Sequence, residues 1–127
     1  MSKIKTHKHL IIRAEALKPP TDEAYLEQWL KSLIESIDMK IMVGPFVKYC
    51  DMPGNKGITG DAIIETSHVI MHIWDECNPA LIQFDLYSCS DLDHQKICQT
   101  ICSEFNVSKI EYKYLDRDNG LKIIAQN

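Results

Sequence analysis

The chain has 127 residues, of which 25% are charged and 45% hydrophobic, and carries a formal charge of −4 at pH 7. This length accommodates one hydrophobic core and is short for two, and the composition excludes collagenous and disordered classes. The acidic balance, without any basic run, argues against a nucleic-acid or anionic-membrane surface.

The start, Met1-Ser2-Lys3-Ile4-Lys5-Thr6-His7, is basic, but the apolar stretch behind it is too short for a signal-peptide core, and no segment is long and apolar enough to span a membrane. Cys50, Cys77, Cys89, Cys98 and Cys102 are odd in number and form no CxxC pair. Reduced thiols in a cytoplasm are therefore expected, with no disulfide framework and no metal site.

His9 to Ala14 reads as a first strand, stopped by Lys18-Pro19-Pro20. Thr21 is the expected N-cap of a helix whose first turn carries Asp22 and Glu23, with Leu26, Trp29, Leu30, Leu33 and Ile37 on one face. Lys40 to Tyr49 is strand-like, and its Gly44-Pro45 implies an edge position or a bulge. Cys50 to Gly60 reads as a loop, because it holds Pro53, Gly54, Gly57 and Gly60. Its Gly54-Asn55-Lys56-Gly57-Ile58-Thr59 lacks the spacing of a phosphate loop.

Two strands follow, at about Asp61 to Thr66 and His68 to Trp74, and Asp75-Glu76-Cys77-Asn78-Pro79 leads to a third, Leu81 to Ser88. That third strand alternates: Ile82, Phe84 and Leu86 face one way, Gln83, Asp85, Tyr87 and Cys89 the other. Ser90 or Asp91 is placed to cap a second helix, on which Ile97, Cys98, Ile101, Cys102 and Phe105 form a core-facing stripe. Ile110 to Leu115 and Leu121 to Ala125 complete the pattern as a strand pair around the Asn119-Gly120 turn. The surrounding Asp-x-Asp-x-Gly lacks the rest of a calcium loop.

The order β-α-β-β-β-β-α-β-β, with hairpins in place of alternating crossovers, predicts an α+β fold: a two-layer sandwich of a mainly antiparallel sheet with two helices on one face, as one domain over residues 1–127. Strands such as Val69 to Trp74 are apolar on both sides. The free face of the sheet is therefore expected to be buried, by a second sheet or by a partner subunit.

The run Glu65-Thr66-Ser67-His68-Val69-Ile70-Met71-His72-Ile73-Trp74 sets a hydroxyl and two histidines in an apolar strand. Leaving such groups buried and unpartnered costs about 1–3 kcal/mol each. In a strand His68, Ile70, His72 and Trp74 share one face, with the histidines too far apart for an easy shared metal. Alone, the pair reads either as hydrogen-bonded histidines beside a sheet or as part of a chemical site.

Gly57-Ile58-Thr59-Gly60, Thr66-Ser67-His68, His72-Ile73-Trp74-Asp75-Glu76 and Asp85-Leu86-Tyr87-Ser88-Cys89, in this order and spacing, resemble the short, prokaryotic-type S-adenosylmethionine decarboxylases over roughly residues 9 to 115. The resemblance implies self-cleavage at Thr66-Ser67: Ser67 attacks the preceding carbonyl, and elimination from the ester splits the chain into 1–66 and 67–127. Residue 67 would become a pyruvoyl cofactor, whose carbonyl stabilises the carbanion left by decarboxylation. The implied reaction converts S-adenosylmethionine to the aminopropyl donor of spermidine, a step of polyamine synthesis.

By the same resemblance Thr59 and His72 assist processing, His72 as an acid or base, and Cys89 protonates the α-carbon after carbon dioxide leaves. Cys89 also ends a strand just before a helix N-terminus, where a thiol pKa tends to fall. Glu76 matches a glutamate that accepts hydrogen bonds from ribose hydroxyls, Tyr49 falls near an aromatic that stacks on adenine, and Trp74 lies beside them. For Tyr49 and Trp74 ordinary packing is the alternative. The resemblance further implies a homodimer with its active site near the subunit interface.

The sequence departs from the family at Thr66, where glutamate usually precedes the cleaved serine; Glu65 stands one residue earlier. Two other readings stay open. One is a pyruvoyl-dependent arginine or ornithine decarboxylase, and the other an uncleaved homologue that binds a ligand or a partner without catalysis.

Overall fold

The computed structural model describes residues 6–65 and 67–127, so the basic start at residues 1–5 and the expectation attached to Thr66 lie outside the described residues. In chain order the elements are β1 (Lys8–Ala16), α1 (Glu23–Ser36), β2 (Ile41–Cys50), β3 (Gly57–Ile64), β4 (Ser67–Trp74), β5 (Ala80–Ser88), α2 (His94–Phe105), β6 (Val107–Asp116) and β7 (Lys122–Gln126). The strands form one sheet in the order β2-β3-β4-β5-β1-β6-β7. Every neighbouring pair is antiparallel.

Alternation along the strands sorts the side chains into two faces. Leu10, Ile12 and Ala14 of β1, Ile58, Ala62 and Ile64 of β3, Val69, Met71 and Ile73 of β4, and Ile82, Phe84 and Leu86 of β5 are buried on the helix side. They share a core with Leu26, Leu30, Leu33 and Ile34 of α1 and Ile97, Ile101 and Phe105 of α2. Fully burying a side chain of this size contributes about 1.5–3 kcal/mol, so this face alone accounts for the pairing of sheet and helices. Trp29 and Phe105 meet edge to face at 4.8 Å and join the two helices.

Several boundaries differ from the sequence reading. Asp22, not Thr21, is the N-cap of α1, without a side-chain cap hydrogen bond. Asp93, not Ser90 or Asp91, caps α2, its side chain accepting from the Lys96 N–H at 3.1 Å. Strand β3 begins at Gly57, inside the segment expected to be a loop. The glycines there serve close approach: a Cβ on Gly57 would lie 1.8 Å from the Ile73 carbonyl oxygen, and one on Gly60 2.5 Å from Leu30 Cδ1. Cys98 and Cys102 flank the buried stripe of α2 and are half-buried.

Strand β2 is an edge strand with register shifts between Ile41 and Phe46, as Gly44-Pro45 implied. No second sheet covers the open face among the described residues. There Ile11, Ile63 and Phe46 are 43%, 51% and 64% exposed, beside His68, Ile70, His72 and Trp74, which are only half-buried. That is an unusual amount of apolar surface for one side of a sheet facing water.

Candidate active site

Strand register places the candidate residues at two ends of the sheet. Ser67 is the first residue of β4 and pairs with Ser88 of β5, so Cys89 stands at the same end of the sheet. Ser67 has φ +155°, a backbone angle rare for a residue with a Cβ. Its row across the sheet continues to Lys8 of β1, a buried lysine whose Nζ lies 3.8 Å from Asp91 Oδ1.

Thr59 and His72 are direct cross-strand partners, and Thr59 Oγ1 is 2.9 Å from His72 Nδ1. That contact occupies one ring nitrogen and leaves Nε2 as the position from which the imidazole can exchange a proton. The His72 ring stacks on Trp74 at 5.5 Å, and the Trp74 indole N–H donates to Asn55 Oδ1 at 2.9 Å.

Glu76, Asn55, Lys56, Tyr49 and Asp75 form the far end. The Lys56 N–H donates to Glu76 Oε1 at 2.9 Å, and the Asp75 N–H donates to the Lys56 carbonyl at 3.1 Å, clamping the β2–β3 turn to the β4–β5 turn. The Tyr49 hydroxyl donates to both oxygens of Asp75, at 3.1 and 3.0 Å, and its backbone N–H donates to Glu23 Oε2. The hydrogen bond to Asp75, then loss of solvent and nearby negative charge, raise the Tyr49 phenol above its ordinary pKa. Tyr49 packs against the core on the helix side, whereas Trp74 stands on the open face with His72.

The structure therefore sets Ser67 and Cys89 at one end of the sheet and joins Thr59 and His72 to Trp74, but keeps the two groups apart. At about 3.3 Å per strand residue, His72 is about 17 Å along β4 from Ser67 and Trp74 about 23 Å. Glu76 is farther still. No one small molecule or single attacking hydroxyl spans that distance within a chain.

Beside Ser67 the open face carries a cluster of which the sequence offered His68 and the polar side of β5 separately, without their meeting at His9. His9 Nε2 is 2.6 Å from Asp85 Oδ1, and His68 Nε2 is 3.5 Å from the same oxygen. Burial works to raise the Asp85 pKa, but hydrogen bonding and charge from His9, then from His68, outweigh it and hold the carboxyl below its ordinary value. Tyr87 sits among His7, His9 and His68 with ring centroids 5.8–5.9 Å away, and the Arg117 guanidinium lies 4.1 Å above it. Residues 9, 68, 85 and 117 are distant in sequence, and only cross-strand register could have joined them. Among the described residues no three His, Cys, Asp or Glu side chains are grouped to hold a metal ion, and no helix is long and apolar enough to cross a membrane.

Fold and site together define a two-layer antiparallel α+β protein with hydroxyls, a thiol and imidazoles distributed along one sheet. Comparison with known proteins narrows this class. A family model described as S-adenosylmethionine decarboxylase matches residues 8–118, and the chain belongs to that family. It is 32% identical over 94 residues to the S-adenosylmethionine decarboxylase proenzymes of Clostridium botulinum strains Langeland and Hall, covering 73% of this chain and 76% of each relative. The crystal structure of the adenosylmethionine decarboxylase from Aquifex aeolicus VF5 shares the fold, with a TM-score of 0.69 over 98% of this chain and 99% of that one at 17% identity.

Proposed function

We propose that this chain is a self-processing, pyruvoyl-dependent decarboxylase of S-adenosylmethionine that works as a homodimer in the cytoplasm. Family membership supports the chemistry. The observation that carries the assembly is the separation of Ser67 and Cys89, at one end of the sheet, from His72, Trp74 and Glu76 toward the other.

Pairing two open faces about a two-fold axis, with the two β4 strands running in opposite senses, sets the Ser67 end of one copy over the His72–Trp74 end of the other. Each of the two sites then draws on both chains, and the exposed Ile11, Ile63 and Phe46 leave water. In that arrangement His72, tied through Nδ1 to Thr59, exchanges a proton through Nε2 during attack of the other chain's seryl oxygen on the carbonyl of residue 66. The peptide C–N bond gives way to an ester, freeing the amine of residue 67, and elimination removes the Cα proton and breaks the Cβ–O bond. Residue 66 leaves as a carboxylate; the enamine left at residue 67 tautomerises to an imine, and water adds to it and expels ammonia, leaving a keto group.

Ser67 suits this change: it begins a strand, is half-buried and shares its end of the sheet with the free Cys89. The pyruvoyl group supplies a conjugated carbonyl that takes up the electron pair released with carbon dioxide. Cys89 Sγ gives the proton that replaces the lost carboxylate. Glu76 offers carboxylate oxygens to paired ribose hydroxyls, and Trp74, an exposed-face aromatic, offers a flat apolar surface to the base. The five free cysteines suit a reducing compartment.

Denaturing intact mass, followed by carbon dioxide release from S-adenosylmethionine, tests this reading. Two fragments, 1–66 and 67–127, with the second lacking a serine at its start, are expected together with turnover. A chain that remains whole after long incubation and releases no carbon dioxide overturns the proposal. Cleavage with a preference for arginine or ornithine keeps the chemistry and reassigns the substrate.

A further inference from the structure

The cluster around Asp85 lies beside the reactive residue but touches none of the groups assigned above to processing, proton delivery or substrate binding. We propose that Asp85 is a positioning residue for decarboxylation: it holds the His68 imidazole, and so fixes the residue whose backbone nitrogen would bear the pyruvoyl group. This rests on the reading given under Proposed function.

Cleavage between residues 66 and 67 removes the covalent constraint on one side of residue 67, leaving it attached through His68 alone. Strand ends fray, because the last ladder bonds open with little cost. His68 is the first residue after the break, and its backbone pairs with Ile63 on one side and Tyr87 on the other. Its side chain, on the open face, reaches Asp85 Oδ1 at 3.5 Å. A carboxylate that holds this ring restrains the new terminus in a direction that the ladder does not.

Asp85 is itself braced. His9, only 15% exposed at its side chain, lies 2.6 Å from the same carboxylate oxygen. Arg117 Nη1 is 3.5 Å from His9 Nδ1, on the side of the imidazole away from Asp85. Tyr87, under Arg117 at 4.1 Å, fills the space between the His9 and His68 rings. A line of contacts thus runs from the turn after β6 through His9 and Asp85 to His68. Asp61 of β3 and Lys113 of β6 share the cross-strand row of Asp85, while Arg13 and His72 line the same shallow hollow.

The alternative is an ordinary surface ion pair. With Asp85 41% exposed, such a pair contributes little to stability. A residue that orients a reacting group has a different signature, because a misplacement of about 1 Å costs on the order of 100-fold in rate.

The test compares wild type, Asp85→Asn, His68→Asn and the double variant in steady-state turnover of S-adenosylmethionine, with cleavage followed by intact mass. Each single variant is expected to cleave, to keep KM within about twofold and to lose roughly 10–100-fold in kcat. The double variant should be no worse than the poorer single one, since both act through the same ring. Asp85→Glu should recover part of the loss. His9→Gln, which leaves Asp85 and His68 in place, should cost less than Asp85→Asn.

Unchanged kcat in Asp85→Asn, or losses that multiply in the double variant, overturn the inference. Loss of cleavage together with loss of thermal stability assigns Asp85 to holding the sheet and also overturns it. A wild-type chain that neither cleaves nor turns over defeats the underlying functional reading instead, so the two failures are distinct.

Discussion

Thr59 Oγ1 and His72 Nδ1 lie 2.9 Å apart on adjacent strands, joining a hydroxyl to an imidazole on the open face of the sheet. This contact fixes which ring nitrogen of His72 is free. Replacing His72 with Ala should slow self-cleavage by about 100-fold or more, the usual contribution of a proton-transfer group. Thr59→Val should slow it less, roughly 10-fold, and Thr59→Ser should stay near wild type. Time courses of fragment formation read by mass provide the comparison.

Separate placement of Ser67 and His72 makes a stronger prediction about which chain serves which. Ser67→Ala homodimers should remain uncleaved, and His72→Ala homodimers should cleave only at the slowed rate. Co-expressed, they should yield cleaved His72→Ala chains, because one of the two sites in the mixed dimer then combines an intact Ser67 with an intact His72. If His72 acts within its own chain, mixing rescues nothing, and tagged chains separated by mass distinguish the two results.

Gly57 and Gly60 both sit in β3 and should respond differently to alanine. At Gly57, φ is +157° and the added Cβ would meet the Ile73 backbone, which cannot move aside. At Gly60 it would meet the flexible end of Leu30. Gly60→Ala should cost about 1–3 kcal/mol, the usual range for overpacking, and Gly57→Ala more than that. Urea unfolding midpoints, at constant slope, measure the difference.

The cysteines should separate by reactivity. Burial, and then the neighbouring Cys102, push the Cys98 thiol up to about 11, and burial raises Cys102 as well. Since the thiolate is the nucleophile, alkylation near pH 8 should modify exposed Cys77 well before Cys98 or Cys102. Peptide mapping after brief iodoacetamide treatment gives the order; early labelling of Cys98 would contradict the packing described for α2.

Tyr25 of α1 is hydrogen-bonded to Glu104 of α2, which, ahead of burial and the carboxylate's charge, raises the phenol to about 12 from an ordinary 10. The unfolded phenol ionises first as pH rises. Stability from this contact is therefore complete below about pH 10 and is lost between about 10 and 12. The stability difference between wild type and Tyr25→Phe should shrink across that interval, modestly because Tyr25 is 42% exposed. Paired urea titrations at the two ends of the interval test it.

Local alternation carried most of the fold. Ile82, Phe84 and Leu86 against Gln83, Asp85 and Tyr87 sorted β5 into its two faces, and Asn119-Gly120 marked the β6–β7 turn. The sequence reading failed where a residue type serves two physical purposes. Gly57 and Gly60 resembled turn glycines, but they make room for a neighbouring strand and for Leu30. Asp22 and Asp93 lost out to nearby hydroxyl and acidic residues of similar capping propensity, because the chain entry angle decides among them. The blocks that carry the family resemblance were legible as order and spacing. Their division between opposite ends of β4 was not, and neither was the meeting of His9, His68 and Asp85, since both depend on register between strands remote in the chain.

The strand order has a mechanical consequence. A break between residues 66 and 67 leaves β1, β2 and β3 on one piece and β4 to β7 on the other, yet β1 lies between β5 and β6, laddered to both along its length. The halves are interleaved like the fingers of two hands. Scission of the backbone at one hairpin frees neither piece, since withdrawing the first would strip the sheet through its middle and open the core under both helices. A chain cut at that hairpin would hold together as one molecule.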